Sequence, residues 1–239
     1  MGIDSRHFRL VLLSKNMAGY KNLLKLVTVS HLEGFWGKPR IDKEILSAHK
    51  DGLIAIIPIH GGETNDALRN SNFEKANEIV SFYKKLFAED CYLEITYHPE
   101  IENHQALLEN ISRLSRESGV ELVASQEVFY IKPEDKKVWQ VLRSIQGNDD
   151  YSAAGEDEGG DFSFISGKEA EEFFKKYPTA GSNNQKIAER CSLELTLGEW
   201  MFPKIPLQEG RSYDEALRKL VEKGIKEKKY RETKEVVGR

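Results

Sequence analysis

The sequence predicts an α/β fold with a mainly parallel sheet, because short apolar runs alternate with amphipathic segments through its first two-thirds. Four runs have the length and nearly unbroken apolar character of strands buried on both faces: residues 8–14, 52–58, 92–97 and 122–129. The segments between them show helical spacing of apolar residues: 18–33, 43–49, 73–87 and 103–118. Four such strands form either an open sheet or an arc of a barrel, and periodicity does not choose between the two.

The remainder of the chain predicts a mostly helical extension behind an acidic linker. Residues 148–162 contain six acidic residues, three glycines and no basic residue, a composition that buries too little apolar area to order a segment. The chain is therefore divided into a β/α region at 1–147, a flexible linker at 148–162 and a helical region at 163–239.

Residues that favour the first positions of helices indicate where the later helices begin. Pro133 opens a helix that runs to about Ile145, since proline is tolerated at a first helical position. Ser182 is a plausible N-cap, and a capping box begins the last helix. The remaining predicted segments are helices at 167–177, 182–191 and 212–230, a strand at 193–197 and a proline-containing connector at 201–206.

Composition excludes several classes of protein. A formal charge of -4 at pH 7 argues against binding nucleic acid by bulk basicity. No apolar stretch is long enough to cross a membrane, and the first residues lack the apolar core of a signal peptide. Two cysteines a hundred positions apart do not make a disulfide scaffold. We therefore expect a cytoplasmic protein with no membrane partner.

Candidate ligands for a metal ion follow the predicted strands. The nucleotide-binding, metalloprotease and serine hydrolase signatures GxGxxG, GxxxxGKS/T, HExxH and GxSxG are absent. In a parallel sheet, function gathers at the carboxyl ends of the strands. His60, Glu63, His98 and Glu127 lie there and offer the nitrogen and oxygen donors that divalent metals bind. The alternative is that polar residues collect at strand ends because loops begin there.

Two further features each allow two interpretations. In the segment GFWGKPRID, Lys38 and Arg40 beside Phe35 and Trp36 could contact phosphate and base. Alternatively, the aromatic pair packs on the sheet and Arg40 pairs with a local carboxylate. Glu94 lies inside a buried strand and needs a partner, for which an arginine or lysine is favoured over a catalytic role.

Five segments resemble, in order, the bacterial DNA polymerase III alpha subunits. The stretch from FRLVLLSKNMAGYKNL to GFWGKPRID resembles HLVLLAKNxxGYxNL…GFYxKPRID, and GLIAIIPIHGGE resembles GLIALSxCLxGE. YLEITYH and ELVASQEVFYIKPED resemble YLElqrH and PLVATNDVHYLKPED. NNQKIAERCSLELTLGEWMFPKIPLQEG resembles the region leading into the polymerase core. The similarity runs from about residue 9 to 224.

This resemblance implies a partial PHP-type domain, a distorted β/α barrel that has seven strands in the family, followed by the entry to the polymerase region. Members of the family are template-directed DNA polymerases that use Mg²⁺. In many of them the PHP barrel also holds Zn²⁺ or Mn²⁺ and supports 3′–5′ exonuclease activity, whereas in others it serves as a scaffold.

The sequence departs from the family pattern where metal ligands are expected. The opening strands with the HxH motif have no counterpart. The next family histidine falls on Arg9, a cysteine on Ile59, and a histidine of the fourth-strand motif on Phe129. Acidic residues are kept at Glu63 and Glu127. The resemblance therefore implies an incomplete metal cluster.

The expected function is that of a segment of a DNA polymerase III alpha-type DNA-directed DNA polymerase in replication, with a degenerate PHP domain as scaffold. In the family layout the catalytic aspartates lie beyond residue 239, so no catalytic residue is assigned and whether this chain is itself an enzyme stays open. The implied partners are the rest of the alpha subunit, DNA through the full enzyme, and other replisome subunits. Two alternatives are a metal-dependent PHP phosphoesterase or exonuclease, and a non-catalytic module that docks on a separate polymerase chain through an uncovered barrel edge.

Overall fold

The structure is a computed structural model that describes residues 7–99, 101–147, 160–200, 206–207 and 212–229. The chain divides into two compact units, Met1–Glu194 and Leu195–Arg239. The first contains the described sheet and its helices, and the second contains one described helix.

Four strands and nine α-helices lie within these described residues. The strands are β1 (Val11–Ser14), β2 (Leu53–Ile57), β3 (Cys91–Ile95) and β4 (Glu121–Ala124). The helices are α1 (Met17–Leu32), α2 (Lys43–Ala48), α3 (Glu63–Arg69), α4 (Phe73–Phe87), α5 (His104–Ser118), α6 (Lys136–Gly147), α7 (Gly167–Phe173), α8 (Pro178–Arg190) and α9 (Tyr213–Glu227). Short 3₁₀ turns at Ala88–Asp90 and Pro133–Asp135 precede β3 and α6.

The strands form one sheet in the order β1-β2-β3-β4. β2, β3 and β4 are parallel, which confirms the predicted mainly parallel α/β fold. β1 is antiparallel to β2, with Leu13 opposite Ile54. The reason is that β2 begins beside the end of β1, where the Lys15 amide donates to the Gly52 carbonyl at 2.9 Å. After α1, the following loop and α2 bring the chain back to the end of the sheet at which β1 finishes, so β2 starts there and runs in the opposite direction.

Alternating strand residues supply the two faces of the sheet. On one face, Leu93 and Ile95 belong to the main core, together with Val80 of α4 and Ile111 of α5. On the other face, a smaller cluster joins Ile54, Tyr92 and Val123 to Ile187 of α8. Helices therefore cover both faces, as a parallel sheet requires.

Two local predictions are wrong, and one helix was not predicted. α8 begins at Pro178 and not near Ser182, because proline takes the first helical position and the Ser182 hydroxyl donates to the Thr179 carbonyl inside the helix. α3 was not predicted, since its seven residues are too few to show a period. Residues 193–197 form no strand, as no neighbouring strand pairs with them within the described chain.

Two predicted segments fall largely outside the described residues. Of the acidic segment 148–162, only 160–162 are described, and there Phe162 is buried with its amide donating to the Tyr130 hydroxyl at 3.0 Å. Of the connector 201–206, only Pro206 is described. The last helix is confirmed with its capping box, in which Ser212 and Glu215 satisfy each other's backbone amides.

Among the described helices, none combines the length and the apolar character that crossing a membrane would require.

Candidate functional site

Polar side chains meet at the carboxyl ends of β2, β3 and β4. Because the three strands are parallel, the segments that follow them reach the same edge of the sheet. His60 follows β2, His98 follows β3, and Glu127 follows β4. This edge is the candidate site.

Three imidazole rings lie together at this edge. The rings of His60 and His104 stack with their centroids 5.7 Å apart, and those of His98 and His104 meet edge-on at 6.0 Å. His104 Nε2 lies 2.9 Å from the Thr96 carbonyl oxygen and 3.2 Å from the His98 backbone nitrogen, whose N–H points to it. Both His98 and His104 are almost completely buried.

His104 was not predicted as a site residue. It is the first residue of α5, and Asn103 before it adopts a left-handed conformation with φ of 62°. That turn brings α5 back over the end of β3. The one signal in the sequence was the short separation between His98 and His104. That separation does not predict the turn at Asn103 that brings the two rings together.

The environment of His60 favours its neutral form. Burial lowers the pKa of His60, and the neighbouring His104 ring lowers it further, while Glu127 opposes the shift. His60 Nε2 is buried without a hydrogen-bond partner within the described part of the chain.

Glu94 is held by a hydroxyl and an amide, so the predicted arginine or lysine partner was wrong. Its carboxylate accepts a hydrogen bond of 2.6 Å from the Ser125 hydroxyl and one of 3.1 Å from the Ile59 amide. The parallel register of β3 and β4 brings Ser125 to this position, because Ile95 lies opposite Ala124. Among the described residues, no arginine or lysine forms an ion pair with Glu94, and these two donors stabilise its carboxylate.

Arg9 crosses the edge of the sheet and pairs with Glu127. Its backbone amide donates to the Gly61 carbonyl at 2.8 Å, which fixes the residue beside the end of β2. Its guanidinium lies 3.2 Å from the Glu127 carboxylate. The side chain that takes the place of a family histidine therefore supplies a positive charge.

Glu63 lies apart from the imidazoles, at the start of α3. Lys43 binds it at 2.7 Å. Both line a groove with Tyr83, and burial together with Glu63 raises the pKa of that tyrosine to about 12. His60 instead lines a different pocket with Asn65 and His104. Of the four predicted ligands, the structure thus brings His60, His98 and Glu127 to one edge and leaves Glu63 in the groove.

The donors at this edge do not fit a resident metal ion. The carboxylates of Glu94 and Glu127 at this edge, and that of Glu63 in the neighbouring groove, each already have a donor within the chain. Within the described ranges, no group of three or more histidine, cysteine or acidic side chains is arranged to hold a cation.

The GFWGKPRID segment is a tight turn with exposed aromatic residues. The Trp36 amide donates to the Lys38 carbonyl at 3.1 Å, and Gly37 at the tip has φ of 72°. Phe35 and Trp36 are 57% and 76% exposed, so the interpretation in which they pack on the sheet was wrong. Lys38 and Arg40 line the same groove as Glu63.

Residues 1–98, which include β1, β2 and β3, match the PHP domain family. Along nearly its whole length the chain is similar to proteins named DNA polymerase III subunit alpha, which confirms the predicted resemblance. It is 34% identical to the protein of Borreliella burgdorferi over 92% of this chain and 19% of the relative. For Halalkalibacterium halodurans the identity is 32%, over 94% of this chain and 20% of the relative. For the protein of Bacillus subtilis the identity is 29%, over 92% of this chain and 19% of the relative. The chain spans about a fifth of the length of these curated relatives.

Proposed function

We propose that this chain supplies the PHP-containing segment of a DNA polymerase III alpha-type enzyme and acts there as a scaffold without hydrolytic activity. Its partner is the rest of such a subunit. DNA, Mg²⁺ and nucleotidyl transfer belong to the whole polymerase, which works in the cytoplasm during replication, with other replisome subunits as further partners. Two-metal transfer of a nucleotide needs carboxylates that hold both ions, and the family resemblance assigns none of them to this chain.

The observation that supports a scaffold role is the Arg9–Glu127 ion pair. A divalent cation at the strand ends would need the Glu127 carboxylate, and the guanidinium 3.2 Å away both occupies that carboxylate and repels a second cation. The pair is also structural, because it joins the segment before β1 to the segment after β4.

Metal content and melting behaviour test this proposal. The purified 239-residue chain is dialysed against Zn²⁺, Mn²⁺ or Mg²⁺, and bound metal is measured by mass spectrometry. We expect substoichiometric metal, no hydrolysis of bis-p-nitrophenyl phosphate, and the same melting temperature with and without EDTA. The variant Arg9→Gln serves as a comparison, because it removes the cation and leaves Glu127 available.

A PHP phosphoesterase is the second candidate, favoured by His60 Nε2, which is buried and has no hydrogen-bond partner among the described residues. One metal ion per wild-type chain, together with hydrolysis that His60→Ala abolishes, would establish it and reject the scaffold role. Metal binding by Arg9→Gln but not by the wild type would support the exclusion of the ion by the guanidinium.

A further inference from the structure

A pocket with a volume of about 630 Å³ is lined by α3 and α5. Asn65, Leu68 and Arg69 form its α3 wall, and their spacing of three and four residues places them on one face of that helix. Leu107 and Asn110, three residues apart, belong to its α5 wall. Every described residue of the lining follows β2 or β3 in the chain, so two consecutive β/α units build this α3–α5 pocket.

Two side chains of opposite charge line the α3–α5 pocket without pairing. Arg69 is the last residue of α3, and Glu102 lies two residues before the start of α5. They are the only aspartate, glutamate, lysine or arginine residues in its described lining. Neither forms an ion pair with a described residue, and they therefore do not pair with each other. A ligand that carries a negative and a positive charge can bind both.

A buried amide adds a second polar group to the α3 wall. Asn65 is only 7% exposed, and its side chain forms no hydrogen bond with a described residue. Native proteins seldom bury an amide without a partner, because its lost hydration is then not replaced. Asn65 lies one helical turn before Arg69, so both side chains reach the same part of the pocket. An amide N–H group and a guanidinium together suit a carboxylate.

Apolar side chains separate the polar groups of the two walls. Leu68 lies beside Arg69 on α3, and Leu107 lies on the facing side of the pocket on α5. Both leucines are half-buried and pack against the main core, which fixes their position. They provide the apolar surface that small-molecule pockets combine with a few polar groups.

We propose that the α3–α5 pocket binds a small zwitterion, namely an α-amino acid with an apolar side chain. Its carboxylate binds Arg69 and Asn65, its ammonium group binds Glu102, and its side chain lies against Leu68 and Leu107. This inference goes beyond the scaffold role and does not rest on it. The carboxylates at the strand ends, and the guanidinium that pairs with one of them, are not among the described lining residues of this pocket.

A zwitterion fits this lining better than a simple ion does. An anion without an amino group would leave Glu102 unpaired beside a second negative charge. A cation without a carboxylate would in turn leave Arg69 unpaired beside a second positive charge. An amino acid satisfies both side chains and adds no net charge to the pocket.

Titration with L-phenylalanine and L-leucine tests the proposal. The full chain is titrated in the presence of EDTA and heat is measured by isothermal titration calorimetry, so that binding does not depend on a metal ion. We expect saturable binding at one site per chain. Two analogues of phenylalanine, 3-phenylpropanoate without the amino group and phenethylamine without the carboxylate, should each bind at least about tenfold more weakly, since each loses a charge-assisted hydrogen bond. No saturable binding of either amino acid would overturn the proposal.

Charge-neutralising variants locate the site. We expect Arg69→Gln and Glu102→Gln each to weaken the binding of L-phenylalanine about tenfold. Arg116→Gln and Glu74→Gln make the same chemical changes at exposed positions outside the pocket lining and should leave the affinity unchanged. Circular dichroism melts verify that all four variants fold. Equal effects of the lining variants and their controls would reject the assignment to this pocket.

Other ligands give distinct results. Binding of 3-phenylpropanoate as tight as that of phenylalanine would assign the pocket to anions, and equally tight binding of phenethylamine would assign it to cations. Either result rejects a zwitterion. Failure of amino acid binding without metal uptake rejects the pocket and not the scaffold role, whereas stoichiometric metal with hydrolysis rejects the scaffold role and not amino acid binding in EDTA.

Discussion

Buried polar residues at the strand ends are stabilised by donors from neighbouring strands. Glu94 shows this most clearly, because an unpaired carboxylate in a half-buried strand would cost several kcal/mol. The sequence establishes that this carboxylate needs a partner. It does not identify Ser125 and the Ile59 amide, since both reach Glu94 through the register of β2, β3 and β4.

His60 should make the stability of the chain depend on pH. Its pKa in the folded state lies below the ordinary value of 6.5, mainly through burial. Above pH 6.5 the ring is neutral in both states and the full stability is present. As the pH falls from 6.5 through the lower folded pKa, the unfolded chain binds the proton more readily and stability is lost.

Urea denaturation between pH 7.5 and 5 measures this dependence. We expect the free energy of unfolding of His60→Asn to fall less steeply with decreasing pH than that of the wild type. His31→Asn, an exposed position in the last turn of α1, should keep the wild-type slope. Parallel curves for the wild type and His60→Asn would contradict the assignment.

Secondary structure was predicted best where apolar residues keep helical spacing over many residues. The pattern predicted residues 73–87 as a helix, and α4 has those bounds. Strand β4 is shorter than predicted, because the chain leaves the sheet after Ala124 and continues into the site. The antiparallel entry of β1 could not be predicted, since an apolar run of seven residues carries no direction.

The contact between α1 and the start of β2 depends on two glycines. A Cβ atom on Gly19 would lie 2.0 Å from the Gly52 carbonyl oxygen, and Gly52 itself has φ of 75°. The atoms that a Gly19 Cβ would meet belong to the Gly52 backbone and cannot rotate away as a side chain would. To accept a methyl group at Gly19, α1 would therefore have to move away from the start of β2.

Alanine substitutions in two helices should therefore have opposite effects. We expect Gly19→Ala to lower the free energy of unfolding by roughly 2 kcal/mol or more, as overpacking and lost contacts outweigh the gain in helix propensity. Gly181→Ala in α8 meets nothing within 4 Å of the new Cβ atom and should raise it by about 0.5–1 kcal/mol. Urea denaturation of the two variants measures both changes, and a stabilising Gly19→Ala would show that α1 does not approach β2 this closely.

The candidate site as a whole was only partly predictable. Strand ends of a parallel sheet predict where His60, His98 and Glu127 meet, because that follows from topology. The pairing of Glu63 with Lys43 depends on the relative placement of α2 and α3 and has no local sequence signal. The same holds for Arg9, which reaches Glu127 across more than a hundred residues of sequence.

The first compact unit carries both apolar clusters and should fold without the second. All four strands and helices α1 to α8 lie within Met1–Glu194, and both clusters draw their residues from them. We expect a chain shortened to residues 1–194 to melt within a few degrees of the full chain, because no residue of either cluster is removed.

Removing α8 as well should destabilise the unit strongly. A chain shortened to residues 1–176 loses Ile187 from the second face of the sheet and the two asparagine amides that bind the β4 edge. One buried isoleucine and two hydrogen bonds together contribute about 3–5 kcal/mol. Thermal melts followed by circular dichroism should therefore separate the two truncations, and the shorter chain should also aggregate, because the β4 edge has then lost the asparagine side chains that bind it. Equal melting temperatures for the two truncated chains would show that α8 does not close the sheet.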